Sequence, residues 1–293
     1  MTAAKNSDPA ASAALLLAAL LWSSAYVVMK WALGYFPPLT MIAGRMLAAG
    51  LVFLVAVPYF RRQVRYQRGD WKWFALMSLG EPCLYFVLET HALLYTTASQ
   101  AGTISAILPV IVAFGAMLFL KEKMSARGWL GAGLAIAGVI GLTIGAEATE
   151  TAPNPLFGNI LEMCAMLCAA VYFLCARQLS SRYPSLFITA VQTWAGTLFF
   201  FPAFFMPGQG LPEAAPLSAW LSLVYLGVFV SIGAYGTFNY GLSRLNAGNA
   251  AIYVNLIPVF TLLMGVFILG ESLTGLQYPA IGLVLYGLYI SRQ

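Results

Sequence analysis

Charged side chains are scarce in this chain of 293 residues. Asp, Glu, Lys and Arg together make up 9% of the sequence, whereas soluble domains carry about 25%. Hydrophobic residues make up 61% and are spread along the whole chain. This composition excludes a water-soluble globular protein and predicts that lipid surrounds the fold. The connections between apolar runs reach only about a dozen residues, which excludes a separate soluble catalytic, receptor or nucleic-acid-binding domain.

Histidine and cysteine are also rare, with one and four copies. The cysteines all lie within apolar runs and lack the CxxC or Cys–His spacing of metal sites, so we expect no metal and no cofactor. The sequence contains no HExxH run and no nucleotide-binding loop, and a single histidine leaves little scope for a Ser–His protease. We therefore predict that the chain is neither an enzyme nor an ATP-driven pump.

Ten apolar runs are long enough to cross a bilayer as helices, which needs about 20 residues each. The sequence thus predicts an all-α polytopic membrane protein. The first run is longer than the apolar part of a signal peptide, so we interpret it as the first helix. The predicted spans are 11–33, 39–60, 71–94, 100–120, 128–145, 156–177, 186–206, 219–242, 248–269 and 275–291.

Basic residues alternate between the connections, which predicts the orientation in the membrane. Lys and Arg cluster at 61–72, 121–127 and 177–182, whereas the connections expected on the opposite side contain Glu but neither Lys nor Arg. We therefore expect an even number of spans, both termini in the cytoplasm, and a location in the inner membrane.

The sequence is also similar to itself. One constant shift aligns Trp71 with Trp220, Ala98 with Ala247, Pro109 with Pro258, Glu122 with Glu271, Gly133 with Gly282 and Gly138 with Gly287. Two five-helix repeats result, residues 1–147 and 148–293. Because five is odd, the second repeat is predicted to be inverted relative to the first, as in alternating-access transporters.

Three motifs resemble a known family. Residues 21–26 read Leu-Trp-Ser-Ser-Ala-Tyr, and the predicted fourth and ninth helices carry Pro109 or Pro258 and end at Lys-Glu-Lys (121–123) or Leu-Gly-Glu (269–271). The chain resembles the EamA-type branch of the drug/metabolite transporter superfamily. The resemblance implies ten helices in two inverted repeats around a cavity lined mainly by helices 1, 3, 4, 6, 8 and 9. It also implies transport of small metabolites, often amino acids or organic cations and frequently outward.

Ionisable residues inside the predicted spans are candidates for function, since they are costly in lipid. Glu81, Tyr85 and Glu89 follow each other at four-residue intervals and share one helix face, with the two carboxylates about 12 Å apart by helical rise. We predict that Glu81 and Glu89 bind substrate or carry protons, next to a kink at Pro82. The alternative is that the acids neutralise buried cations, with Arg45 and Glu162 as a structural ion pair.

Glu89 could instead pair with Arg45 or Lys30. The single histidine, His91, lies near the predicted outer end of its helix, where an interfacial role is favoured over a proton relay.

Aromatic and amide side chains complete the predicted site, because aromatic faces attract cations and amphiphilic solutes and buried amides need partners. The predicted substrate-binding residues are Trp22, Tyr26, Glu81, Tyr85, Glu89, Tyr172, Asn239, Tyr253 and Asn255. Pro109 and Pro258, which occupy equivalent places in the two repeats, are predicted hinges of gates, although tolerated kinks are the alternative.

These residues predict a secondary transporter that exports small metabolites by alternating access. Its expected partners are a small-molecule substrate and the lipid bilayer, not nucleic acid. Protons and the substrate's own gradient both remain open as driving forces, and a passive facilitator, an uptake permease, and a membrane scaffold or sensor are the alternatives. The glycine-rich fifth and tenth helices permit close packing inside a monomer or across a homodimer.

Overall fold

The computed structural model describes residues 8–120, 125–244 and 253–291. Helices without strands make up this part of the chain. The α-helices are α1 (Pro9–Ala32), α2 (Pro38–Gln63), α3 (Trp71–Ser78), α4 (Tyr85–Tyr95), α5 (Ala98–Ile104), α6 (Leu108–Leu120), α7 (Ala126–Ile144), α8 (Pro155–Ser180), α9 (Ser185–Phe200), α10 (Leu217–Val224), α11 (Tyr235–Arg244), α12 (Ile257–Leu269) and α13 (Gln277–Ser291).

Irregular helical turns join several of these helices without a loop. Leu79–Leu84 and Tyr225–Ala234 are wide π-helical turns, whereas Ser105–Ile107 and Phe201–Phe205 are tight 3₁₀ turns. α3 and α4 thereby form one interrupted rod, and so do α5 with α6 and α10 with α11.

Seven helical segments of the described chain are long and apolar enough to cross a membrane, which confirms the prediction of a polytopic helical membrane protein. They are Pro9–Ala32, Pro38–Phe60, Ala98–Gly115, Ala126–Ile144, Pro155–Ser180, Ser185–Phe205 and Leu217–Gly241. The predicted spans 71–94 and 275–291 are helical too. Of the predicted span 248–269, residues 248–252 lie outside the described residues, as do residues 121–124 with Glu122.

Local sequence explains where several helices begin. Asp8, Thr97, Ser125 and Asn154 each use a side-chain oxygen to accept a hydrogen bond from a backbone N–H of the first turn that follows. These residue types are the preferred N-caps, since they satisfy amides that have no partner within the helix. α1, α2 and α8 also begin with proline, whose missing N–H costs nothing at that position.

Large apolar side chains remain exposed on the outer surface. Val55 is 84% exposed, Phe267 80% and Leu198 77%. Such residues are unfavourable in water but match a hydrocarbon environment. This surface agrees with the membrane location expected from the composition.

Glycines bring α7 and α13 into close contact. A Cβ atom on Gly138 would lie 2.7 Å from the Ala280 carbonyl oxygen, and a Cβ atom on Gly287 would lie 2.6 Å from the Gly131 carbonyl oxygen. Near the other end of α7, Gly145 faces Leu276. The residue number therefore rises along one helix as it falls along the other, so the two helices are antiparallel. These glycines pack within one chain.

Two charged side chains flank the break between α4 and α5. The Lys30 ammonium donates to the backbone carbonyls of Leu93, Thr96 and Thr151 at 2.5–2.7 Å, next to the C-terminal end of α4. Glu271 accepts hydrogen bonds from the first amides of α5, those of Ala98 and Ser99, at 2.7 and 2.9 Å. Each charge has the sign that the adjacent helix end favours. The predicted pairing of Lys30 with Glu89 is not formed.

Candidate functional site

A cavity lies among the helices. It is lined by Trp22, Ala25, Tyr26, Arg45, Glu81, Tyr85, Phe86, Glu89, Ser105, Leu108, Met166, Ala169, Phe173, Tyr235, Val254 and Ile257. In the predicted numbering of spans, these residues come from helices 1, 3, 4, 6, 8 and 9, as the family resemblance implies. Arg45 adds a contribution from helix 2.

The helix break at Glu81 opens the backbone beside this cavity. Glu81 has φ −146° and ψ 121°, an extended conformation inside a helical rod. The cause is local, because the ring of Pro82 disfavours helical geometry in the preceding residue. In a bilayer, such irregular backbone is tolerated where it lines a cavity or is buried in protein. Pro82 therefore breaks the helix at an ionisable residue.

Two carboxylates on the cavity wall are each held by a tyrosine. Glu89 accepts a hydrogen bond from the Tyr85 hydroxyl at 2.6 Å, one helical turn away. Glu81 accepts from the hydroxyl of Tyr235, which begins α11. Glu81 and Glu89 are 3% and 4% exposed. The predicted stripe of Glu81, Tyr85 and Glu89 thus faces the cavity, and Tyr235 joins it from the second half of the chain.

Arg45 also lines the cavity but does not form the predicted ion pair with Glu162. Its Nε donates to the Ser231 hydroxyl at 2.8 Å, and its guanidinium carbon lies 4.1 Å from the centroid of the Phe86 ring. Depth along a helix suggested the pairing, but the rotation of α2 points Arg45 toward α4 and the wide turn Tyr225–Ala234. The assignment of Arg45 to a structural pair is therefore corrected.

Glu162 lies behind the cavity wall and is not one of the lining residues. It is fully buried, and its Oε1 accepts a hydrogen bond from the Tyr26 hydroxyl at 3.0 Å. Its second oxygen has no hydrogen-bond partner among the described residues. Because Tyr26 itself lines the cavity, Glu162 is connected to the cavity through one side chain.

Aromatic rings form a large part of the cavity wall. Trp22 packs edge-on against Tyr235 with centroids 5.2 Å apart, and also contacts Phe238. Tyr172 lies behind this wall, 5.8 Å from the Tyr235 ring. Of the predicted aromatic residues, the structure thus brings Trp22, Tyr26 and Tyr85 to the cavity and leaves Tyr172 in the layer behind.

Three other predicted binding residues do not reach the cavity. Asn239 is fully buried and donates to the Thr189 hydroxyl at 3.2 Å. Tyr253 packs against the core around α1, and Asn255 is buried although its neighbours Val254 and Ile257 line the cavity. The side-chain carbonyl oxygens of Asn239 and Asn255 lack hydrogen-bond partners within the described chain.

Sequence reasoning left Phe86 and Phe173 out of the predicted site. Phe86 and Phe173 carry no polar signal, and nothing in the sequence distinguishes them from the many aromatics that face lipid. Tyr235, in the predicted eighth helix, is one of the aromatic residues that the sequence places in the presumed cavity helices, although it is not among the predicted binding residues.

The two symmetry-related prolines occupy matching places. Pro109 is the second residue of α6 and follows the tight turn Ser105–Ile107, whereas Pro258 is the second residue of α12 and follows a turn at 255–256. Both positions suit proline because the N–H of a first helical turn needs no intrahelical partner. Ser105 and Leu108 before one proline, and Val254 and Ile257 before the other, line the cavity.

The arrangement offers chemistry for binding a charged or amphiphilic solute rather than for holding a metal. No group of three or more His, Cys, Asp or Glu side chains among residues 8–120, 125–244 and 253–291 is placed to ligate a metal ion. The cavity combines a guanidinium, two carboxylates and aromatic faces. These groups recognise ammonium, carboxylate and apolar parts of small molecules.

Several known proteins are similar to this chain. YetK of Bacillus subtilis, described as an uncharacterized transporter, is 25% identical over 71% of this chain and 64% of its own length, so this chain spans less than two thirds of that relative. A probable terminal-alkyne amino-acid exporter of Streptantibioticus cattleyicolor is 26% identical over 88% of this chain and 85% of that protein. A solved crystal structure with 22% identity has the same fold, with a TM-score of 0.67 over 97% of this chain and 96% of that one.

The sequence profile of the EamA-like transporter family matches twice, at residues 10–144 and 156–293. The two matches cover nearly the whole chain and are consistent with the predicted internal repeat. They confirm the resemblance drawn from the helix motifs. The chain belongs to the EamA-like transporter family and is a multi-pass membrane transporter.

Proposed function

We propose that this protein is a secondary transporter that moves small metabolites, amino acids or amine-type amphiphilic solutes, out of the cell by alternating access. The observation that carries the proposal is a cavity among the helices that combines Glu81, Glu89 and Arg45 with aromatic walls. The relative named as an amino-acid exporter supports the solute class and the direction.

The packing of α7 against α13 supports an inverted repeat. Gly138 faces Ala280 and Val284, and its repeat equivalent Gly287 faces Gly131 and Ala135. The shift that aligns the two repeats converts the first set of contacts into the second, because it aligns Gly131 with Ala280 and Ala135 with Val284. Because the two helices are antiparallel, equivalent helices point in opposite directions, the relation that places a shared solute site halfway through the membrane.

Gating at Pro109 and Pro258 is part of the proposal. Each proline follows a break in a helix that touches the cavity, and the breaks lie at equivalent positions of the two repeats. Changes of backbone angle at such breaks would open the cavity to one side at a time.

The orientation in the membrane is also part of the proposal. The protein lies in the inner membrane, with the basic connections and both termini on the cytoplasmic side.

Proton coupling through Glu81 or Glu89 is the proposed driving mechanism. Each carboxylate has one oxygen bonded to a tyrosine hydroxyl and a second oxygen with no hydrogen bond to the described residues. An acid of this kind can exchange a proton for a solute ammonium group as access alternates. Glu162, connected through Tyr26, is a third acid near this site.

Flux into proteoliposomes tests the proposal directly. The flux of amino acids and amines would be measured with and without a pH gradient, for the purified wild-type protein and for the Glu81→Gln and Glu89→Gln variants. We expect gradient-dependent flux in the wild type and a loss of at least tenfold, or of the pH dependence, in the variants. Glu213→Gln, in an exposed loop, is the matched control.

Three results would contradict the proposal. Wild-type flux and unchanged pH dependence in both variants would remove the carboxylates from the mechanism. Absence of flux with every solute would favour a scaffold or sensor, and flux that follows concentration alone would favour a passive facilitator.

A further inference from the structure

Arg45 is the cationic residue among those lining the cavity, and no acid of the described chain forms an ion pair with it. The ion pairs within 4.0 Å among the described residues are Arg182 with Asp70 and Arg244 with Asp8. Glu89 and Glu81 attract the guanidinium, but only from beyond that distance. A buried cation without a contacting acid is costly to maintain inside a membrane.

The hydrogen-bonding capacity of Arg45 is also largely unused. A guanidinium has five N–H donors. Nε donates to Ser231, and Nη1 approaches only the sulfur of Met29, a weak acceptor, at 3.4 Å. Nη2 makes no hydrogen bond with a residue in the described part of the chain. Ser231 and the Phe86 ring hold the group in place while leaving these donors available.

The acids of the cavity have complementary free positions. Glu89 and Glu81 each use one oxygen to accept a tyrosine hydroxyl, from Tyr85 and Tyr235 respectively. The other oxygen of each has no hydrogen-bond partner among the described side chains. The cavity therefore presents acceptors for an ammonium group and donors for an anion, and apolar side chains make up much of the rest of its lining.

We propose that Arg45 binds the carboxylate of the transported solute, while Glu81 or Glu89 binds its ammonium group. Arg45 is thus a specificity-determining residue that makes the cavity select zwitterionic amino acids over the corresponding amines. A guanidinium pairs with a carboxylate through two parallel hydrogen bonds, which fixes the orientation of the solute as well as its charge. The inference rests on the proposed transport function and narrows its two solute classes to one.

Matched pairs of solutes that differ only at the carboxylate provide the test. Leucine, leucinamide and 3-methylbutylamine would be compared by thermal stabilisation of the purified full-length protein in detergent. A charge-assisted hydrogen bond contributes about 1.5–3 kcal/mol, so leucine should bind roughly tenfold to a hundredfold more tightly than either analogue. The same ratio is expected for phenylalanine and phenethylamine.

Three variants then assign the difference to one residue. Arg45→Gln should abolish the preference for the acid, with amine binding within about threefold of wild type. Arg45→Lys keeps the charge without the planar fork and should retain only part of the preference. Arg68→Gln makes the same charge change in an exposed loop and should leave the preference unchanged.

Several outcomes would overturn the inference. One is a wild-type protein that binds acid and amine equally or binds neither. Another is an Arg45→Gln protein that keeps the preference for leucine. An Arg45→Gln protein that is merely less stable, with the preference intact, would assign Arg45 to structural charge balance.

Binding and transport are measured separately, so the two proposals can fail separately. If binding is selective and depends on Arg45 but no flux occurs in proteoliposomes, the transport proposal is wrong and the role of Arg45 in binding is supported. If flux occurs without discrimination between leucine and 3-methylbutylamine, transport is supported and the role of Arg45 is wrong.

Discussion

Single charged residues stabilise breaks in the helices of this fold. Glu271 accepts hydrogen bonds from the amides of Ala98 and Ser99, and thereby ties the second half of the chain to the start of α5. Thr97 adds the ordinary cap from within the first half. The N-terminal end of α5 therefore depends on a carboxylate that is distant in sequence.

We predict that Glu271→Ala lowers the free energy of unfolding by about 1–2 kcal/mol, because two amides at the start of α5 lose a charged acceptor. The measurement is the midpoint of thermal unfolding in a fixed detergent. Glu213→Ala, which removes the same charge from an exposed loop, should leave the midpoint unchanged. Equal midpoints for the two variants would show that water replaces Glu271 at no cost.

The residues of the site could be predicted from the sequence only where one helix carries them. The four-residue spacing of Tyr85 and Glu89 places both on one face of α4, whatever that helix packs against. Glu81 precedes α4 and reaches the cavity at the helix break before Pro82. The pairing of Arg45 with Glu162 failed because it required the relative rotation of two helices, which depth in the membrane does not determine. Tyr172 was misplaced for the same reason, since it turns one layer away from the cavity.

Irregular helical turns, at the scale of elements, were predictable where proline causes them. Pro82 forces Glu81 out of the helix, and its effect was visible in the sequence. The wide turn Tyr225–Ala234 has no proline to mark it; within it, the Ser231 hydroxyl donates to the Leu226 carbonyl five residues earlier. Helix boundaries elsewhere agree with the predicted spans because caps and prolines mark them.

Glycine contacts between α7 and α13 give a second prediction. Gly138→Val should lower the free energy of unfolding by about 1–3 kcal/mol, because the added side chain would meet the backbone at Ala280 and Val284. Gly287→Val should do the same at Gly131 and Ala135. Thermal unfolding in detergent measures both.

The chain offers matched controls for this pair. Gly133 lies on α7 and Gly282 on α13, and neither has an atom within 4 Å of an added Cβ. Gly133→Val and Gly282→Val should therefore leave the unfolding midpoint close to that of the wild type. If all four variants are equally destabilised, helix propensity and not close packing explains the effect.

Symmetry relates the two halves at the scale of the whole molecule. The reciprocal glycine contacts and the matched prolines both follow from one exchange of the repeats, and the cavity positions of Ser105 and Leu108 correspond to those of Val254 and Ile257. The acids of the cavity do not follow this exchange. Glu81 and Glu89 have no acidic equivalents in the second half, where Tyr235 faces Glu81 instead. A symmetric scaffold thus holds an asymmetric site, which explains why the repeat predicted the fold better than the binding residues.

The inverted arrangement makes a final prediction about topology. The connection at 64–70 in the first half and the one at 206–216 in the second each follow the second predicted helix of their repeat, so inversion puts them on opposite membrane faces. Arg68 and Glu213 are exposed in these two connections.

Cysteine labelling tests this arrangement. In a protein whose four native cysteines are replaced by alanine, Glu213→Cys should react in intact cells with a membrane-impermeant maleimide. Arg68→Cys should react only after the cells are permeabilised. Labelling of both cysteines from the same side would contradict the inversion, and alternating access around a shared cavity would lose its structural basis.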